Sequence, residues 1–166
     1  MKRSDLFLAA GLLLLGGFLW FIFTWIEASQ NTGETYAKVT YHDETIMMID
    51  LQSLSYTVYD TIYQDQIDTG RAGEGIFYVP GAVTTDMSAL YEVDSYAMEH
   101  EIIGIKLLVK DGKIAVVYQE SPKDVCQLQD PTNSPLFPLV CLPNELVITI
   151  YTNWTSDEFI PDVIME

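Results

Sequence analysis

Cys126 and Cys141 are the two cysteines of this 166-residue chain, and they stand fifteen positions apart. Two thiols can form a catalytic redox pair, ligate a metal, bond to each other or stay free. A redox pair takes Cys-x-x-Cys spacing, with one thiol acidified at a helix N-terminus. The spacing here is different, and no suitable helix is predicted after either cysteine. A structural zinc site needs four ligands. The two imidazoles, His42 and His100, are far apart in sequence and are not in finger spacing. A disulfide asks only for Cα atoms within about 7 Å and an oxidising compartment. Closing a loop of this size restrains the unfolded chain by roughly 3 kcal/mol. That is a sizeable share of the ~5–15 kcal/mol of an ordinary domain. Pro131, Pro135 and Pro138 are expected to keep the intervening loop out of a sheet, so a covalent tie is a natural way to hold it. The favoured reading is a structural bridge. The alternative is a thiol–disulfide redox role for the same two residues.

Other candidates carry less chemistry. His42 falls in a predicted turn and His100 lies between Glu99 and Glu101, so both are read as exposed histidines. No Gly-x-Ser-x-Gly marks a hydrolase. Asp65, Asp68 and Glu74 fail the register of a calcium loop, which wants acids at positions 1, 3 and 5, a glycine at 6 and a glutamate at 12. They read as a solvated loop. Ten tyrosines could build a carbohydrate- or peptide-binding face, but strands favour tyrosine and pack it half-buried. These residues imply no catalytic constellation, no cofactor and no metal site.

The compartment decides between the readings of the cysteines. Leu6 to Ile26 is a run of 21 uncharged residues, LFLAAGLLLLGGFLWFIFTWI. As a helix it would be about 31 Å long, the thickness of a bilayer's hydrocarbon core. Trp20 and Trp25 stand toward its far end, where indole rings favour the headgroup interface. A cleaved signal peptide would have a core of only ~7–15 residues and small residues before the cut. An uncleaved transmembrane helix over 6–26 is therefore predicted. Lys2 and Arg3 precede the run and no basic residue follows until Lys38, so residues 1–5 are expected in the cytoplasm and the remainder outside the cell membrane. Only Lys2, Arg3 and Asp5 of the charged residues lie ahead of the run, leaving six Lys or Arg against 23 Asp or Glu after it. So acidic a domain repels nucleic-acid phosphate and anionic headgroups, which argues against a nucleic-acid partner.

Residues 27–35 read as a polar linker, and strands follow: Tyr36–Tyr41, Thr45–Leu51, Ser55–Thr61 and Gly75–Pro80. His42-Asp43-Glu44 is a predicted hairpin turn. The region near 62–100 reads as an insert or long connection, and Met87–Met98 fits a helical turn or a strand equally. Ile102–Lys110 and Lys113–Gln119 flank Asp111-Gly112, a pair suited to a type I′ turn. In Leu146–Thr152, Leu146, Ile148 and Ile150 share one face and Val147, Thr149 and Tyr151 the other. The predicted class is all-β, a small β-sandwich or barrel of about seven strands over 36–152, followed by a tail, 153–166.

The last third has a recognisable pattern. Asp111-Gly112-Lys113, then Ser121-Pro122-Lys123-Asp124-Val125-Cys126, then Val140-Cys141-Leu142-Pro143-Asn144 resembles the NusG domain II family. That family is named after an extra β-domain in some bacterial NusG transcription factors. Many members are small bacterial proteins with one N-terminal membrane span and one such domain outside. The likeness is clear over Ile102–Thr152 and loose over Tyr36–Leu51. Ser121 stands where the family often has a cysteine, so chemistry needing a third thiol is absent. Gln127-Leu128-Gln129 replaces the family's usual Lys and Gly, so an electrostatic role for that loop does not carry over. In a bacterial chain the Asn153-Trp154-Thr155 sequon is read as coincidence. The resemblance implies a β-domain and the matching motif residues rather than an activity. The expectation is a membrane-anchored extracytoplasmic module that binds an envelope protein or a small ligand. A role in transcription does not fit a domain tethered outside.

Overall fold

The computed structural model describes residues 11, 13–22, 24–25, 34–121, 123 and 125–152. The chain divides into two units, Met1–Gly33 and Glu34–Glu166. In the first, every described residue between Gly11 and Trp25 is helical. No helix among the described residues is long and apolar enough to cross a membrane. Residues 6–10, 12, 23 and 26 of the expected span lie outside the described residues, as do the tail 153–166, its sequon and Pro122.

The second unit is built on two antiparallel sheets. Its strands are β1 (Thr35–Tyr41), β2 (Glu44–Asp50), β3 (Tyr56–Val58), β4 (Ile76–Val79), β5 (Ile105–Lys110), β6 (Lys113–Tyr118), β7 (Leu139–Cys141) and β8 (Leu146–Thr152). The larger sheet has the order β3-β2-β1-β8-β7 and the smaller β4-β5-β6. Neither closes into a barrel among the described residues. Two short helices, α1 (Ser88–Val93) and α2 (Ser95–Glu99), resolve the ambiguity of Met87–Met98 in favour of helix.

Period-two patterning places the main core. Thr35, Ala37, Val39 and Tyr41 of β1 are buried while the residues between them are half-exposed, and Leu146, Ile148 and Ile150 of β8 alternate in the same way. All of these inward residues but Thr35 meet Phe77 and Val79 of β4, Ile105, Leu107 and Val109 of β5, and Ile114 and Val116 of β6 in one cluster. Burying each such side chain contributes about 1.5–3 kcal/mol before conformational entropy is set against it. Strand β4 does not alternate, since all four of its residues are buried. The reason is a second cluster, in which Ile76 and Tyr78 pack with Met87, Leu90, Ala97 and Ile102. The helix pair thus covers the face of β4 that points away from the main core.

The turns follow from local chemistry. Asp111 (φ 53°) and Gly112 (φ 70°) give the β5–β6 hairpin two left-handed residues, with Lys110 opposite Lys113. His42 (φ 48°) and Asp43 (φ 64°) do the same for β1–β2, so that turn holds two residues and Glu44 already belongs to β2. Gly104 lies at φ 137°, and a Cβ there would sit 2.3 Å from the Val79 carbonyl oxygen, so β5 begins only after it.

One expectation about the cysteine loop needs correction. The prolines do not keep the whole loop out of a sheet. Leu139–Cys141, just after Pro138, pairs with β8 as an edge strand, and Thr132 bridges Ile114. An edge position tolerates nearby prolines because only one side of the strand needs donors.

Candidate functional site

Cys126 lies on a 3-10 turn, Val125–Leu128, and Cys141 ends β7. The two are disulfide-bonded with a Cα–Cα distance of 5.2 Å, and each is 1% exposed. Beyond Cys141 the chain makes a second 3-10 turn, Leu142–Asn144, with Pro143 inside it and Glu145 in the left-handed region. This turn drives Asn144 into the interior, where it is 0% exposed. Its Nδ2 donates to Gln119 Oε1 at 2.6 Å and to the Glu120 carbonyl at 2.9 Å. Its Oδ1 accepts from the Val83 backbone N–H at 2.9 Å. One amide therefore joins the segment after β4, the end of β6 and the start of β8. Gly81 is small for this reason: a Cβ there would come within 2.8 Å of Asn144 Oδ1.

The residues singled out in the sequence form two groups. Cys126, Val140, Cys141, Leu142, Pro143 and Asn144 gather at the end of β6. Asp111, Gly112 and Lys113 form the turn at its beginning, about 20 Å away by the rise of an extended strand. Val140 and Leu142 point to solvent. At both places, as elsewhere among the described residues, every buried side-chain polar atom is hydrogen-bonded.

A polar cluster that sequence reasoning missed lies on the far side of the smaller sheet. Asp94, between α1 and α2, has a side chain only 2% exposed. Lys106 of β5 donates to its Oδ2, as does the Tyr78 hydroxyl of β4 at 2.8 Å. Arg71 donates to its Oδ1 at 3.1 Å, and the Ala97 backbone N–H does so at 3.3 Å, capping α2. Burial pushes the Asp94 carboxyl upward, but the bonds from Lys106, Tyr78 and Ala97 outweigh it and hold the group below the usual carboxylate range. Burial, together with the bond to Asp94, pushes the Tyr78 hydroxyl well above its ordinary value. At neutral pH the aspartate stays ionised and the tyrosine protonated, so neither is poised to exchange a proton. Arg71 is the one basic residue between Lys38 and Lys106. A lone cation in an acidic stretch was the signal available in the sequence, but it does not say which acid answers it.

Beside this cluster an open groove of about 380 Å³ brings together Asp65, Asp68, His100 and Glu101 with Ile102 and Ile103. The His100 ring stacks on Tyr96, centroids 3.9 Å apart. Tyr96 in turn donates to Asp68 Oδ1 at 3.1 Å. Glu74, grouped with Asp65 and Asp68 in sequence, is paired instead with Arg71 at 2.6 Å. No group of three His, Cys, Asp or Glu among the described residues is placed to hold a metal ion. His42 sits elsewhere, 2.7 Å from Glu145 and stacked against Tyr63.

No curated protein matches the chain. Among solved structures, a crystal structure of a DUF1312 family protein from Ruminococcus gnavus ATCC 29149 aligns with 16% identity, over 70% of this chain and 96% of that one, at a TM-score of 0.34. The family model of NusG domain II matches residues 73–153, from the turn before β4 through β8, and so takes in the disulfide, the Asp-Gly turn and Asn144. Over these residues the chain is similar to the NusG domain II family.

Proposed function

We propose that the chain is a non-catalytic binding or interaction module, held by an N-terminal membrane span on the extracytoplasmic side of a bacterial envelope, where it engages an envelope protein or a small ligand. In this reading the two sheets are the layers of a small sandwich and residues 6–26 are the anchor. The observation that carries it is the bridge between Cys126 and Cys141. Both sulfurs are buried, and no free cysteine remains among the described residues. Such bonds persist in oxidising compartments. A buried pair outside Cys-x-x-Cys spacing is built to hold a loop rather than to exchange electrons. The ionised Asp94 and protonated Tyr78 support the same view, since the best-buried titratable groups are locked in one state. The acidic surface makes a nucleic-acid partner unfavourable.

Two measurements test this. A membrane-impermeant protease added to intact cells should digest the domain; sparing it until the cells are opened would overturn the topology. The reduction potential of the pair should fall below about −300 mV. A pair opened at the potential of a glutathione pool would favour the redox role instead. Crosslinking in intact membranes should then recover a consistent partner, and repeated recovery of the chain alone would count against an interaction module.

A further inference from the structure

The four edges of the two sheets are not treated alike. On β4 the outer edge is closed by Asp68, which exchanges two backbone hydrogen bonds with Tyr78, at 3.0 and 2.9 Å. On β6 the edge is closed by Thr132, which exchanges two with Ile114, both at 2.9 Å. On β7 a side chain stands in for a strand: Gln129 Nε2 donates to the Val140 carbonyl at 2.9 Å, and the Val140 N–H donates to Gln129 Oε1 at 3.0 Å. Only β3 has no such cover among the described residues.

The register shows which groups β3 leaves bare. Asp50 N–H donates to the Ser55 carbonyl at 2.8 Å, and Tyr59 N–H to the Ile46 carbonyl at 3.0 Å. Alternation then turns the backbone of Ser55, Thr57 and Tyr59 toward β2, and that of Tyr56 and Val58 away from it. Tyr56 and Thr57 are exposed. Exposed edges are ordinarily blunted by shortness, charge, proline or a bulge. Strand β3 is short, at three residues, but Gln52 to Tyr59 holds neither a charged residue nor a proline, in a chain of net charge −16. The register shifts fall in the β1–β2 and β5–β6 pairs and not in β3.

We propose that this edge pairs with β3 of a second copy, antiparallel about a two-fold axis through Thr57. The choice of a second copy follows from self-complementarity. With the axis at Thr57, Tyr56 of one copy faces Val58 of the other, and each such pair exchanges two backbone bonds, so the four bare groups of each copy are all satisfied. Thr57 meets its own counterpart in the position where side chains approach most closely, a favourable pairing for threonine. Asp60 falls opposite Leu54 rather than opposite another acid. Repulsion between the two acidic copies is screened by salt beyond about 8 Å at physiological strength. A seam this short falls below the ~1,000 Å² of a stable interface. Pairing is therefore expected where copies are dense, as on a membrane, and this part of the argument rests on the anchor proposed above.

The test uses the full chain in phosphatidylcholine vesicles at set protein-to-lipid ratios, with flotation reporting insertion separately. Thr57→Cys should give a covalent dimer as the major species on mild oxidation, at a yield that rises with salt. Adding Val58→Pro removes an outward N–H but no bond to β2, and should cut the yield at least tenfold. Lys123→Cys, exposed and outside β3, should crosslink no more than that. As a measurement independent of cysteine, amide exchange at Tyr56 and Val58 should slow as density rises in the unaltered chain but not in Thr57→Lys. Equal yields at Thr57→Cys and Lys123→Cys, indifference to Val58→Pro, or density-independent exchange would overturn the pairing. Failure to float would count against the anchor, and equal Thr57→Cys and Lys123→Cys yields in concentrated solution would then overturn the pairing.

Discussion

Around Asn144 the chain is held by one covalent bond and by uncharged amides, whereas around Asp94 it is held by charge. Both places join segments distant in sequence. Asn144 reaches Val83 and Gln119, and Asp94 gathers Arg71, Tyr78 and Lys106. The first should respond to reductant and ignore acid. The second should respond to acid and ignore reductant. One fold therefore carries two locks that different conditions open.

The largest effect is expected at the charged lock. Asp94→Ala leaves two cations and the Tyr78 hydroxyl without their acceptor, and should cost about 3–5 kcal/mol of unfolding free energy in denaturant titration. The same residue sets the response to acid. Its carboxyl lies lower in the folded chain than in the unfolded one, so its contribution is full above the ordinary carboxylate value near 3.9. It fades as pH falls through the depressed folded value. Melting temperature should drop over that window in the unaltered chain, and Asp94→Asn should flatten the drop. Next is the disulfide. Reduction, or Cys126→Ala with Cys141→Ala, should cost about 3 kcal/mol, with the acid response unchanged. A changed acid response in the cysteine variant would mean that the two corners are one coupled unit. Smaller again is Asn144→Ala, at about 2 kcal/mol from the Gln119 and Val83 partners it strands. Its effect should shrink in the cysteine-free background if amide and disulfide brace the same loop, which a double-mutant cycle reads directly.

The two locks also differ in how far the sequence discloses them. The cysteine pair, the Asp111-Gly112 turn and the alternation of β8 are local or compositional signals, and each is visible in a short window. Asp94 is not, because its partners lie 23, 16 and 12 positions away and no periodicity announces them. Strand β7 was hidden by the prolines beside it, which is why eight strands stand where about seven were expected. Strand β4 shows as an unbroken apolar run, and only the helix pair on its second face explains why. Gln119 was read as the end of a strand, and its role appears only when Asn144 is brought against it.

The order of the strands along the chain has a consequence for synthesis. Strand β8 is the last strand described, yet it lies between β1 and β7, with Thr35 opposite Thr152 and Tyr41 opposite Leu146. The first hairpin thus waits for the late arrival of its inner neighbour, and until then β1 exposes a seven-residue unpaired margin. Non-local closure of this kind is slow. A polypeptide cut short before Leu146 would keep that margin open to aggregation.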